Sequence, residues 1–224
     1  EHPSTELARL GARVRPYQPG MRPSWNVVSR FIVSLSKLVF RFELINGDLI
    51  PKDGPFLATA THTSHMDPGL IGAALGRECY YLARSGILEA PLVGQWCRHF
   101  NTLAIRRGES DRQAIKACRQ VLQMGWPLIF FPEGTRSRDG RLGEIQGGFA
   151  TILSGLDIPF LPINVQDTYK VLPRGAMLPR PAKIRMVIGE PAKLPPRAEG
   201  ENTRDYYGRC AADLERRLRA IGAQ

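Results

Sequence analysis

From residue 42 onward the chain alternates between short apolar runs of strand length and longer segments of helical periodicity, and that alternation narrows the fold more than any other feature. Strands are expected at 42–46, 56–60, 80–83, 102–105, 128–131, 160–165 and 184–188. Helices are expected at 68–75, 91–99, 110–125, 144–155 and 203–221. In the last of these, Tyr207, Ala211, Leu214, Leu218 and Ile221 recur at three- and four-residue steps, so one face docks on a core. Interleaved strands and helices imply an α/β fold: a single domain, 42–224, with a largely parallel or mixed central sheet flanked by helices. A chain of 224 residues suffices for one substantial core.

Two segments precede that domain. Residues 1–24 are polar and carry Pro3, Pro16, Pro19 and Pro23, a loosely ordered lead-in. Residues 25–41 form an amphipathic basic helix. Asn26, Arg30, Ser34, Lys37 and Arg41 fall within about 80° on a helical wheel, opposite Trp25, Val28, Ile32, Leu35 and Val39. With a Trp near its start, this is the pattern of a helix lying on a membrane; packing the same face on the core is the alternative. A net charge of +10 calls for an anionic partner, and Arg30, Lys37 and Arg41 would meet an anionic membrane surface. No apolar run has the length of a membrane span, and residues 1–24 lack the apolar stretch of a signal peptide. The chain starts at Glu1 and reads as a trimmed product on the cytoplasmic side of a membrane, attached peripherally. Nucleic acid is excluded as a partner by the absence of phosphate loops, zinc-finger spacing or basic tracts with interleaved aromatics.

The stretch Thr61-His62-Thr63-Ser64-His65-Met66-Asp67-Pro68 joins the second strand to the first helix of the domain. Asp67-Pro68 is a helix-start signature, with Asp at the cap and Pro at the first turn. Continuous helix would set His62 and Asp67 about 140° apart, whereas a bend before Pro68 folds the carboxylate back onto the imidazole. A His held by a carboxylate is a general base; an ordinary turn is the plainer reading. His62 and His65 lack the Glu or Cys companions of a metal site, so no metal is expected. The four dispersed cysteines, Cys79, Cys97, Cys118 and Cys210, read as reduced thiols.

Open parallel sheets bind ligands beyond the carboxyl ends of their strands. There the second strand delivers His62, the fourth Arg106 with Arg107, and the fifth Pro132-Glu133-Gly134-Thr135-Arg136-Ser137. Gly134 permits a tight turn. Glu133 and Arg136 can pair with each other; equally, Arg136 and Arg106 can grip the phosphate of a small phosphorylated alcohol.

His62-x4-Asp67, Ala104-Ile105-Arg106, Phe131 to Ser137 and Leu161-Pro162-Ile163 together resemble the four ordered blocks of the glycerolipid acyltransferase family, within it the lysophosphatidic acid acyltransferase branch. The resemblance covers roughly 42–190. It implies transfer of a fatty acyl group from acyl-CoA or acyl carrier protein, as co-substrate with no further cofactor, to a lysophospholipid hydroxyl. It implies His62 and Asp67 as catalytic, Arg106, Glu133, Gly134, Thr135 and Arg136 as acceptor-binding, and Pro162 at the acyl-donor channel. Backbone N–H groups at Gly134 would bind the developing oxyanion. GxSxG is absent, so no acyl-enzyme is expected. The chain departs from the family pattern at Thr61, His65, Gln146 and Cys97-Arg98-His99-Phe100. These departures leave the acceptor open among 1-acyl-glycerol-3-phosphate, glycerol-3-phosphate, another lysolipid and a lipid headgroup. A non-catalytic lipid binder of the same fold is the competing class.

Overall fold

The computed structural model describes residues 17–18, 21–84, 95, 97, 100–105, 111–172 and 178–224. Helix α1 (Pro23–Phe40) leads into β1 (Glu43–Ile45), β2 (Leu57–Ala60), helix α2 (Asp67–Ala74), β3 (Tyr80–Arg84) and β4 (Thr102–Ile105). Then come α3 (Asp111–Gln123), β5 (Leu128–Phe130), α4 (Gly148–Leu153), β6 (Phe160–Gln166), α5 (Thr168–Val171), β7 (Arg185–Ile188) and α6 (Thr203–Ala220). The seven strands form one sheet in the order β1-β7-β6-β2-β5-β3-β4. Every neighbouring pair is parallel except β6 with β7.

Side chains alternate across the sheet and feed two cores. Leu57 and Phe160 face Trp126, Phe149 and Leu214, on the side covered by α3, α4 and α6. Ala58, Ala60, Leu161 and Ile163 face Phe40, Leu70 and Ile71, on the side covered by α1 and α2. All four residues of β2 are buried, as a parallel strand sandwiched between helical layers requires. Three layers result, and β2 lies at their centre with its carboxyl end leading to His62.

The expected elements are present with shifted ends, apart from the helix at 91–99, of which only residues 95 and 97 are described. Arg106 also lies outside the described residues. The helix expected at 144–155 is shorter, beginning at Gly148. Its predecessor is held as an extended link: Gln146 N–H donates to the Pro132 carbonyl at 2.9 Å and Gly143 N–H to the Glu133 carboxylate at 2.8 Å. Helix α5 was not expected, because four residues carry no periodicity.

Helix α1 divides its apolar face between the domain and solvent. Trp25, Ser29, Ser36 and Phe40 are buried against the domain. Trp25 is 1% exposed, stacked on Tyr81 at 6.2 Å between ring centroids and tilted against Phe100 at 4.8 Å. It is a core anchor rather than an interfacial ring. Small serines at the seam let α1 lie close to α2, since helix separation follows the side chains at the contact. Leu35 and Val39, on the wheel beside Trp25, are instead exposed, and with Val27, Phe31 and Leu38 they make an apolar ridge facing outward. The exposed Arg30, Lys37 and Arg41 run alongside it.

Trp25→Ala is expected to cost about 3–5 kcal/mol of unfolding free energy, because a large buried aromatic leaves a cavity. Phe31→Ser, on the exposed ridge, should stay within about 0.5 kcal/mol. Urea unfolding of both variants separates them; equal losses would mean that the Trp seat is not what fastens the helix.

Candidate active site

Strand β2 hands over to a loop held by a dense set of hydrogen bonds. Thr61 N–H continues the sheet by donating to the Ile163 carbonyl at 3.0 Å, and its hydroxyl takes the Val165 N–H at 2.9 Å. His62 comes next and is held along both its main chain and its ring. Its N–H donates to Glu133 Oε1 at 2.8 Å, and its carbonyl accepts from Ser137 N–H at 2.8 Å. Its ring stacks on Phe131 with centroids 4.0 Å apart. Nδ1 lies 3.0 Å from Asp67 Oδ2. A carboxylate only accepts, so Nδ1 carries the proton and Nε2 is left with a free lone pair.

Asp67 is the first residue of α2 rather than its cap. Its carboxylate turns back into the loop, where Oδ2 also accepts the N–H groups of Thr63 and Ser64 at 2.7 Å each. This is the bend before Pro68 that brings acid and imidazole together. The Asp67 side chain is fully buried, while that of His62 keeps 17% of its surface exposed.

Glu133 is engaged by the backbone. It neither pairs with Arg136 nor stands open for an acceptor hydroxyl: Oε1 takes His62 N–H and Oε2 takes Gly143 N–H, both at 2.8 Å. A Cβ at residue 143 would come within 2.9 Å of Oε2, so glycine is what lets that amide approach. Burial pushes the Glu133 carboxyl above the usual range, against the pull of its two amide donors. Gly134 has φ +65°, the left-handed region where glycine is favoured, and its N–H closes a turn onto the Phe131 carbonyl at 3.1 Å. In this structure that amide closes the turn. Thr135 is exposed at the tip of the same turn. Arg136 is half-buried, and among the described residues its guanidinium has no hydrogen-bond or ion-pair partner. Ser137, the next residue, is bonded to His62, so Arg136 belongs to a loop pinned beside that histidine.

An apolar cavity of about 130 Å³, which His62 does not itself line, is walled by Trp25, Ile32, Pro68, Tyr81 and Phe131 among others. Phe131 links the two, stacking on the imidazole and lining the cavity. Pro162 is elsewhere. It sits buried in β6 opposite Thr59, its carbonyl accepts Gly189 N–H at 2.8 Å, and it is not part of the cavity wall. Among the described residues no three His, Cys, Asp or Glu side chains gather as metal ligands would. Burial pushes the Cys79 and Cys118 thiols up to about 12, so neither is a nucleophile at neutral pH. Gly143, Phe131, Thr63 and Thr168 were not singled out from sequence; an aromatic directly before the Pro132-Glu133 turn was the only signal available.

Over 180 residues the chain is 27% identical to a chloroplastic 1-acyl-sn-glycerol-3-phosphate acyltransferase of Arabidopsis thaliana, a match covering 78% of this chain and 50% of that protein. It therefore spans about half the length of that relative. It is 27% identical over 196 residues to a 1-acyl-sn-glycerol-3-phosphate acyltransferase of Pseudomonas aeruginosa, covering 85% of this chain and 72% of that one. The fold resembles the crystal structure of the 1-acyl-sn-glycerophosphate acyltransferase PlsC from Thermotoga maritima, with TM-score 0.67 and 24% identity over 89% of this chain and 81% of that one. Residues 41–166, more than half of the chain and inclusive of His62, Asp67, Glu133 and Arg136, match the acyltransferase family model, and the chain belongs to that family.

Proposed function

We propose that the chain transfers a fatty acyl group from an acyl thioester, acyl-CoA or acyl carrier protein, to the hydroxyl of a lysophospholipid, with 1-acyl-glycerol-3-phosphate giving phosphatidic acid. The observation that carries this reading is the 3.0 Å contact between His62 and a buried Asp67, with Phe131 stacked on the imidazole and lining an apolar cavity. The names of the two relatives above support the acceptor. So does Arg136, a cation with no hydrogen-bond or ion-pair partner among the described residues, on the loop that grips His62.

His62 Nε2 takes the acceptor's hydroxyl proton as that oxygen attacks the thioester carbonyl. The imidazolium that forms is stabilised by Asp67. When the tetrahedral centre collapses, the C–S bond breaks and the imidazolium returns the proton to the departing thiolate. Acceptor oxygen and carbonyl carbon end as an ester, the donor as a free thiol, and no covalent acyl-enzyme is needed. The acyl chain lies in the apolar cavity and Arg136 holds the acceptor phosphate through paired N–H groups. Glu133 acts on the backbone of His62 instead of on substrate.

The outward ridge of α1 is the proposed seat on an anionic membrane. Among the described residues no helix is long and apolar enough to cross one. Apolar side chains bordered by Arg30, Lys37 and Arg41 suit a surface of acyl chains under anionic headgroups.

Four measurements follow from this reading. His62→Ala should lower kcat by about 10²–10⁴, the usual worth of general-base catalysis, and Asp67→Asn by a comparable factor through loss of tautomer control. Wild-type turnover in the His62 variant would remove the mechanism. Arg136→Ala should raise the acceptor KM by about 10- to 100-fold, the value of one or two charge-assisted hydrogen bonds, and leave the donor KM alone. Phe31→Asp with Leu38→Asp should abolish sedimentation with phosphatidylglycerol vesicles while the rate on a soluble short-chain acceptor persists. Retained vesicle binding would move the membrane seat elsewhere.

Glu133 adds a pH dependence. Its carboxyl is raised by burial, so it takes up a proton at higher pH than an ordinary glutamate. The neutral carboxyl accepts an amide N–H more weakly than the charged one, and the grip on His62 or Gly143 loosens. The stability sign is opposite. A raised folded-state pKa gives a contribution that is full below the unfolded value and is lost as pH rises through the folded one, so this protonation does not unfold the protein. Activity should therefore fall on the acid side before the melting temperature does. The limb should begin at higher pH in the wild type than in Glu133→Gln, which has lost this titrating carboxyl. Superimposable acid limbs would exclude a part for Glu133.

A further inference from the structure

The two oxygens of Asp67 are used unequally. Oδ2 faces the imidazole at 3.0 Å and accepts two backbone amides at 2.7 Å. Oδ1 has, among the described residues, one donor: the Oγ1 of Thr168, at 2.6 Å. Thr168 is fully buried and opens α5, directly after β6 and 101 residues further along the chain than Asp67. It reaches this point because Asp167, with φ 68°, turns the chain back over the β2–α2 loop. Ser64 secures the same contact by donating its hydroxyl to the Leu172 carbonyl at 3.2 Å.

The directions of these hydrogen bonds are fixed by chemistry. An ionised carboxylate has no proton to give, so the Thr168 hydroxyl donates to Asp67. Its lone pairs then face Thr63 Oγ1 at 2.7 Å, and Thr63 is the donor in that contact. A chain of two hydroxyls thus runs one way, Thr63 to Thr168 to Asp67. Its inner end is sealed. Its outer end, Thr63, lines a polar cavity of about 250 Å³.

We infer that Thr168 is a positioning residue for the His62–Asp67 pair, with Thr63 setting the direction of its hydroxyl. A carboxyl group turns easily about its last side-chain bond, and that torsion is broad. Three donors crowded on Oδ2 restrain one edge; the Thr168 hydroxyl restrains the other, and the plane that presents Oδ2 to Nδ1 is defined by both. Thr168 touches no substrate and acts only through Asp67. It also lies past residue 166, where the family match ends. The inference rests on the general-base reading of His62.

The test compares Thr168→Val, which keeps the shape and removes the hydroxyl, with Thr168→Ser, which keeps the hydroxyl, each alone and combined with His62→Ala. Turnover, both KM values and the melting temperature are measured on the full chain. The valine variant should lose about 10- to 100-fold in kcat, the scale on which misplacing a catalytic group acts. Both KM values should stay as in the wild type, and serine should restore most of the rate. In the His62→Ala background the valine change should cost nothing further, because residues acting through one another are not additive. Wild-type kcat in Thr168→Val, or serine no better than valine at equal stability, overturns the inference. An inactive His62→Ala beside an unimpaired Thr168→Val sinks the positioning role alone; an active His62→Ala sinks the general base and this role with it. Should the valine protein not fold, Thr63→Val, at the cavity wall where it has room, decides: a lower kcat with unchanged KM supports the hydroxyl chain, and an unchanged kcat overturns it.

Discussion

His62 is gripped by two buried carboxylates, Glu133 on its backbone N–H at 2.8 Å and Asp67 on its ring nitrogen at 3.0 Å. Taking an ionised carboxylate out of water costs several kcal/mol, and the cost is offset only when its lone pairs are well supplied with donors. Both acids meet that condition, chiefly with main-chain N–H groups. The donors of Asp67 come from Thr63 and Ser64 on its own loop and from Thr168 across the fold. Those of Glu133 come from two loops, one at His62 and one at Gly143. The acids therefore do more than orient a ring. They fix the relative position of the β2–α2 loop, the turn after β5 and the link before α4, and the Ser137 amide on the His62 carbonyl closes the same joint.

This explains what could be read from the chain and what could not. The strand and helix alternation reports local periodicity, which survives folding, so the layered parallel sheet was legible. So was the His62–Asp67 pair, because both residues lie on one loop and a single bend before Pro68 unites them. Glu133 was visible as a member of the site, but its partners were not. A carboxylate's type is written in the sequence; the amide it meets is set by how two distant loops pack. Gly143 escaped for the same reason, since its lack of a Cβ matters only once Glu133 is overhead at 2.9 Å. Thr168 lies 101 residues from the acid it contacts, in a helix too short to announce itself. Pro162, within a recognisable block, is built into the sheet on a central strand and does not line the apolar cavity beside Phe131.

Helix α1 was ambiguous because a wheel sorts residues by polarity, whereas packing sorts them by fit. Ser29 and Ser36 are 5% exposed each, and Leu38 is 81% exposed. Serine is small enough for the close seam with α2, and its hydroxyl can be satisfied by the helix's own carbonyls. Leucine at 38 points away from the domain. The helix thus has three sectors instead of two: a seam of small and aromatic residues inward, an apolar ridge outward, and a basic row beside the ridge.

Those sectors bear on how a substrate would travel. Trp25 and Ile32 on the inner side of α1 wall the apolar cavity beside Phe131, and Val27 and Phe31 on the outer side are exposed. One helix therefore separates the proposed membrane seat from the proposed acyl site. Because the ridge and the cavity wall share one helix, an acyl chain moving from the proposed membrane seat to the proposed acyl site would have a short way to travel, with less apolar area to be solvated on the way. Exposing one buried methylene costs about 0.8 kcal/mol, and a fatty chain has many. A route that keeps more of the chain covered lowers the barrier to entry, and this argues for the ridge and the cavity as parts of one device rather than as separate features of the fold.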